Sequence, residues 1–90
     1  MTLVLNKSYG GFSVPSAFVS KYHLDWDTVD EIERNDPRLV EFVRKHANSK
    51  GRLNSLALVE IPDDSTDYEI NEYDGYESVI YVLNGKLYHA

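Results

Sequence analysis

The side chains that could perform acid–base or metal chemistry are spread along this chain rather than grouped in a motif. The three histidines, His23, His46 and His89, are widely spaced, and no two have the spacing of a zinc-binding pair. Four glutamates in the C-terminal third could supply a carboxylate pair for catalysis: Glu60, Glu69, Glu72 and Glu77. On alternating strands the same carboxylates would form an ordinary solvent-facing surface. The pattern therefore predicts no catalytic residue.

Three aspartates in a short polar segment could offer oxygen ligands to a hard cation. Asp63, Asp64 and Asp67 follow Pro62, but the segment lacks the central glycine and the closing glutamate of a calcium loop. The chain also has no cysteine, which excludes disulfides, thiolate metal sites and cysteine nucleophiles. We therefore expect an exposed turn here, and neither a metal nor another cofactor anywhere in the protein.

A glycine pair near the start of the chain is the best candidate for binding a small anion. The segment is Tyr9-Gly10-Gly11-Phe12, and Ser13 and Pro15 behind it favour a helix start. Backbone amides at such a start can bind an anion. The segment lacks the spacing of a Walker loop or a dinucleotide-binding motif. Alternatively, the two glycines only let a strand turn tightly into a helix while Tyr9 and Phe12 pack.

Tyrosines and carboxylates crowd the C-terminal third of the chain. Tyrosine is favoured in protein interfaces because it offers a large contact area and a polar tip at low entropic cost. It is also a common strand residue. The segment around Asp74-Gly75, together with the polar turn upstream, is the predicted partner-binding surface. Its candidate residues are Asp63, Asp64, Glu72, Tyr73, Asp74, Tyr76 and Glu77.

Charge is distributed unevenly along the chain, whose formal net charge is −6. Residues 34–52 are predominantly basic, whereas residues 60–77 contain eight acidic residues and no lysine or arginine. The negative balance argues against nucleic-acid binding, since phosphate contacts need a cationic surface. The uneven distribution predicts either two solvated surfaces of opposite sign or an acidic surface that meets a basic protein partner.

Length and composition predict one domain over residues 1–90. Hydrophobic residues make up 42% of the chain, which is enough for one small core. Neither a signal peptide nor a membrane-spanning segment is expected, and the lack of cysteine fits the cytoplasm. The apolar segment near the C-terminal end suits pairing with a second copy, so a homodimer is also expected.

Alternation and capping signals predict the elements of the first half. Thr2 to Lys7 alternates as a short strand, and a helix is expected from a cap at Ser13 to about Leu24. Residues 25–35 favour an irregular connection with Trp26, Val29 and Ile32 reaching the core, although Asp27 or Thr28 could instead cap a helical turn through Ile32. Asp36-Pro37 is a strong helix start, and the helix is expected to end near residue 48 with Gly51 as a left-handed stop.

The second half predicts mostly strands. Leu53 to Ile61 has the apolar pattern of a central strand. Asp74-Gly75 and Asn84-Gly85 are tight-turn pairs that divide the remaining residues into a three-strand meander. The predicted fold class is α+β: one small, mostly antiparallel sheet with one or two helices packed on one face.

Several fragments, in order, resemble a group of small uncharacterised bacteriophage and prophage proteins. The first is Asn6 to Ser13, similar to N-K-C-Y-G-G-F-G/S; the second is Asn35 to Glu41, similar to D-D-P-x-L-V-E. The third, Val59 to Gly75, is similar to V-E-I-P-D-D followed by Y/W-E-I-x-E-Y-D-G. The fragments cover about half of the chain. The resemblance implies a small protein made from a phage or prophage gene and located in the cytoplasm of a bacterial host.

Three functions remain as hypotheses. The first is a phage-derived accessory protein that binds a basic protein partner through the acidic, tyrosine-rich surface, as in host takeover or defence against host nucleases. The second is a small-molecule binder that holds an anionic ligand at Gly10-Gly11. The third is a small hydrolase, which would require carboxylates or histidines clustered in a cleft.

Overall fold

The computed structural model describes residues 1–90 and arranges them in three layers: two helices, a first antiparallel sheet and a second antiparallel sheet. The first sheet, sheet A, contains β1 (Thr2–Asn6), β2 (Arg52–Leu53) and β3 (Leu56–Glu60) in the order β1-β3-β2. The second, sheet B, contains β4 (Asp67–Tyr73), β5 (Tyr76–Leu83) and β6 (Lys86–His89) in sequence order.

Strand β1 is buried on both faces and joins the layers. Alternate side chains of a strand point to opposite faces. Val4 accordingly packs with the helices, while Leu3 and Leu5 pack with Val79 of β5. All three β1 side chains are fully buried. The alternation read from the sequence is confirmed, and it places one strand in two hydrophobic clusters.

The helical layer consists of α1 (Ser16–Lys21) and α2 (Pro37–His46). Helix α2 packs on sheet A, and its N-cap is Asp36, whose carboxylate accepts a hydrogen bond from the Arg38 amide at 2.8 Å. This start was predicted. Neither helix is long and apolar enough to cross a bilayer.

Three predictions about the helical layer were wrong. Helix α1 follows Pro15 without a side-chain cap, so it begins later than a cap at Ser13 would require. Helix α2 ends at His46, because Ala47 is extended and Gly51 belongs to the turn that precedes β2. The connection between the helices contains a 3-10 turn at Val29–Glu31 that follows Thr28, so the helical turn considered as the alternative is present within an otherwise irregular segment. Val29 is buried and Ile32 half-buried, as predicted, but Trp26 is 59% exposed.

Sheet B is the predicted meander. Asp74-Gly75 and Asn84-Gly85 form its two turns, and all four residues have positive φ, as type I′ hairpin turns require. The inner face of sheet B covers Leu3 and Leu5 of sheet A with Val79 and with half-buried side chains that include Tyr68 and Ile70.

The α+β class is confirmed, but the strands form two stacked sheets rather than one. The predicted central strand over Leu53–Ile61 is also two strands, because Asn54 takes a φ of 54° and turns the chain between β2 and β3. Alternation shows which side chains share a face, but it does not show which sheet covers that face. The sequence pattern is therefore equally consistent with one sheet or two.

Candidate functional site

The glycine pair Gly10-Gly11 and the Asp74-Gly75 turn lie against each other, although more than sixty residues separate them in sequence. The Gly10 amide donates to the Asp74 carbonyl at 3.1 Å. A Cβ on Gly75 would lie 2.1 Å from the Gly11 nitrogen, so only glycine permits this approach. Residues 10–11 and 74–75 thus form one structural unit.

A buried ion pair lies beside this contact. The Glu77 carboxylate is bidentate to Arg34, with Nη1–Oε1 and Nη2–Oε2 distances of 2.6 and 2.7 Å. The same carboxylate also accepts a hydrogen bond from the backbone amide of Asn6, at 2.7 Å. The Arg34 guanidinium stacks 3.6 Å from the Phe12 ring centroid. Bidentate, charge-assisted geometry of this kind is strong and orients both partners.

This ion pair seals the free edge of β1. The Val4 amide donates to the Arg34 carbonyl at 2.8 Å, and Arg34 Nη1 donates to the Val4 carbonyl at 3.2 Å. The backbone amide of Asn6 is bound to Glu77. The outward-facing amides of Val4 and Asn6 and the Val4 carbonyl therefore all have hydrogen-bond partners. An edge covered in this way cannot pair with another strand.

The sequence predicted that Glu77 belongs to an exposed partner surface. This prediction was wrong. Its side chain is 7% exposed because Arg34 and the end of β1 cover it. Lys7 closes the other side by donating to the Glu77 carbonyl at 2.7 Å. Burial, followed by the charge of Arg52, lowers the pKa of Lys7, and the charge of Glu77 partly opposes this shift.

The glycine pair does not have the geometry that an anion site requires. The Gly10 amide is occupied by Asp74, and α1 begins only at Ser16, so no helix start follows the glycines directly. Tyr9 is 70% exposed, and its ring lies 5.8 Å from that of Tyr76. The arrangement agrees with the alternative in that the glycines pack closely and Phe12 is covered by Arg34, but the packing expected of Tyr9 is not observed.

The outer face of sheet B, which points away from sheet A, is open. We define this outer face by the strand register. It comprises Asp67, Glu69, Asn71 and Tyr73 of β4, Tyr76, Ser78, Ile80 and Val82 of β5, and Leu87 and His89 of β6.

The outer face has an apolar centre beside an acidic strand. Ile80 and Val82 are half-buried, and Leu87 beside them is 70% exposed. Together with Asp67 and Glu69 they line a shallow depression of about 130 Å³. The depression gives the face a centre that a partner side chain could fill.

The net negative charge of the protein comes from the part of the chain that forms sheet B. Residues 62–90 hold seven acidic side chains and one lysine, whereas residues 1–61 hold eight of each sign. Glu77 is neutralised by Arg34. With this ion pair set aside, residues 62–90 keep six acidic side chains and one lysine, whereas residues 1–61 keep eight acidic and seven basic side chains, so most of the net negative charge lies in the part of the chain that forms sheet B.

The other predicted surface residues are exposed but do not form one patch. Glu72, Tyr73, Asp74 and Tyr76 lie at the turn end of the β4–β5 hairpin. Asp63 and Asp64 precede the opposite end of β4, about 20 Å away for a strand of this length. Asp63 pairs there with the N-terminal ammonium group of Met1, and this contact lowers its pKa.

Sequence reasoning missed the partner of Glu77 and two side chains of the outer face. Arg34 was counted only as part of a basic segment, and nothing local marks it as the partner of Glu77, 43 residues away. Ile80 and Val82 were not assigned to either face of the sheet, although their alternation with Val79 along the strand places them on the face opposite to it.

No three His, Asp or Glu side chains converge as metal binding would require. His23, His46 and His89 are exposed in different elements. No known protein family, curated protein or solved structure matches this chain. A function must therefore be inferred from its own residues.

Proposed function

We propose that this protein acts by binding another protein through the outer face of sheet B, and that the partner is basic where it makes contact. The observation that carries the proposal is the combination on one open face of an apolar depression, two exposed carboxylates and two exposed tyrosines. Asp67 and Glu69 supply the charge, and Tyr73 and Tyr76 supply the rings.

The chemistry of this face suits a protein better than a small ligand. Interfaces combine an apolar centre with a polar rim and are enriched in tyrosine. The depression is too shallow to enclose a ligand, because ligand sites are typically clefts of about 300–1,000 Å³. The local negative charge would speed the encounter with a basic partner and disfavour acidic ones.

The phage resemblance supplies a biological setting for this proposal. In that setting the protein is an accessory protein made in an infected or lysogenic bacterium, and its target is a host or phage protein in the cytoplasm. Host takeover and defence against host nucleases are the two roles we favour. An anionic ligand at Gly10-Gly11 would compete with the Asp74 carbonyl for the Gly10 amide, and a hydrolase would require clustered carboxylates.

Affinity capture from a bacterial lysate with matched variants tests the proposal. Glu69→Lys/Leu87→Lys alters the outer face, whereas Asp30→Lys/Ser20→Lys makes the same change of net charge at exposed helical-layer residues. We expect a basic protein to be retained by the wild type and the control and lost with the outer-face variant. Retention should weaken as salt rises. Equal retention by all three proteins, or no enriched protein at low salt, would contradict the proposal.

A further inference from the structure

The four outer edges of the two sheets differ in whether another strand could pair with them. The β1 edge is sealed by Arg34 and Glu77. The β2 edge has only two residues, and Asn48 donates to its Arg52 carbonyl at 2.7 Å. Strand β6 has four residues, and β4 has seven. The long open edge of the molecule is therefore that of β4.

The backbone of β4 has unpaired groups along this edge. Tyr73 and Tyr76 flank a two-residue turn, so they form a hydrogen-bonded pair. Every second pair along the ladder is also hydrogen-bonded, so Asn71, Glu69 and Asp67 direct their backbone groups toward β5. The N–H and C=O groups of Tyr68, Ile70 and Glu72 consequently point away from β5. None of them bonds to another backbone group outside the ladder, and only the Tyr68 amide has a side-chain partner, Asp67.

Proteins usually protect such an edge with proline, a bulge, a short strand or charge. The β4 sequence has no proline or glycine, and its register with β5 is one-to-one from Asp67 to Tyr73. Only charge protects it. Asp67, Glu69 and Glu72 would repel a second β4 strand, since like charges directly opposite each other destabilise a pair.

We propose that the β4 edge binds an extended basic segment of the partner as an added strand of sheet B. This inference rests on the function proposed above and specifies how the partner is held. The same carboxylates that exclude an acidic strand attract a basic one, so charge complementarity selects the occupant. Backbone hydrogen bonds to Ile70 and Glu72 would fix the register, and alternate basic side chains would lie beside Glu69 on the outer face.

The test uses a defined probe: a seven-residue peptide, acetylated and amidated, that alternates lysine and valine. Hydrogen exchange followed by NMR on the full chain should show the Ile70 and Glu72 amides slowed at least tenfold at saturating peptide. The Leu87 and His89 amides on the β6 edge should be unchanged. With the lysines on the outer face, the valine amides of the peptide would face β4. N-methylation of these valines keeps the charge of the peptide but removes those donors, and should abolish the protection of the Ile70 and Glu72 amides.

Charge variants complete the test. Glu69→Lys should weaken peptide binding about tenfold, while Asp30→Lys, the same charge change on the helical layer, should change it less than twofold. Protection on the β6 edge, equal binding of the methylated peptide, or no binding at low salt would overturn the strand-addition proposal. If retention of the partner in the capture experiment were still lost with the outer-face variant, only the strand-addition mode of binding would be disproved. Loss of that dependence would remove the proposed function itself.

Discussion

Glu77 shows how one residue can serve the fold rather than a surface. Its carboxylate neutralises Arg34 and receives the Asn6 amide, so it links the hairpin of sheet B to the edge of sheet A. Its cross-strand neighbour Glu72 is exposed and instead accepts from the Gly75 amide at 2.8 Å. Two glutamates opposite each other in one hairpin thus have different roles because only one is covered.

Glu77→Ala should reduce the free energy of unfolding by about 3 kcal/mol, because it leaves a largely buried guanidinium without its counter-charge. Urea denaturation measures this loss. Glu69→Ala removes an exposed carboxylate from the neighbouring strand and should stay within about 0.5 kcal/mol of the wild type. Similar midpoints for the two variants would show that Glu77 does not hold the two sheets together.

The two hairpin glycines provide a matched pair. Gly75 and Gly85 both have positive φ, but a Cβ on Gly75 would overlap the backbone of Gly10-Gly11, whereas one on Gly85 meets nothing within 4 Å. Gly85→Ala should lower the free energy of unfolding by about 1 kcal/mol, which is the cost of the left-handed backbone conformation alone. Gly75→Ala should cost at least about twice that, measured by thermal or urea unfolding. Equal costs would contradict the close packing of the two turns.

At the scale of elements, Asp36 determines where α2 begins. Its carboxylate caps the helix, and its hydrogen bonds with the Arg38 side chain hold its pKa below the ordinary value of 3.8. Asp36→Ala should cost about 1 kcal/mol at neutral pH.

The pH dependence of this contribution follows from the lowered pKa. The folded state favours the ionised carboxylate, so the stabilisation is complete above about pH 4 and is lost as the pH falls through the folded-state pKa. The difference in stability between wild type and Asp36→Ala should therefore shrink in acid. A difference that stays constant down to about pH 2 would show that the charge of Asp36 does not contribute.

The elements themselves could be read from local signals. Alternation predicted β1, and Asp36-Pro37 predicted the start of α2. Asp74-Gly75 and Asn84-Gly85 predicted both turns of sheet B. The layer arrangement and the burial of Glu77 could not be read in this way, because they depend on contacts between residues far apart in sequence. The sequence assigned the partner surface to the C-terminal third of the chain, but strand register was needed to place Tyr73 on the open outer face of sheet B and Glu77 on its covered inner face.

For the whole molecule, the uneven distribution of charge suggests different partners for the two edges of sheet B. Strand β6 carries no acidic residue, and the backbone groups of Leu87 and His89 point away from β5. Two β6 strands could approach without negative repulsion. The homodimer expected from the sequence therefore has an edge at which to form.

Light scattering at high micromolar concentration should give about twice the 10.3 kDa mass of one chain. Leu87→Pro removes an outward amide that β5 does not use and should give the single-chain mass, whereas Leu87→Val should still dimerise. A single-chain mass for the wild type at that concentration would contradict the prediction.

The claim that the outer face of sheet B meets a protein partner is tested most directly by site-specific photo-crosslinking in the bacterial host. A photoreactive phenylalanine analogue would replace Tyr73 or Glu69 on the outer face, away from the β6 edge, and Asp30 or Arg44 on the helical layer. We predict one crosslinked product shared by the two outer-face positions and absent from the two helical positions. Crosslinks from the helical positions alone, or none from either face, would contradict the claim.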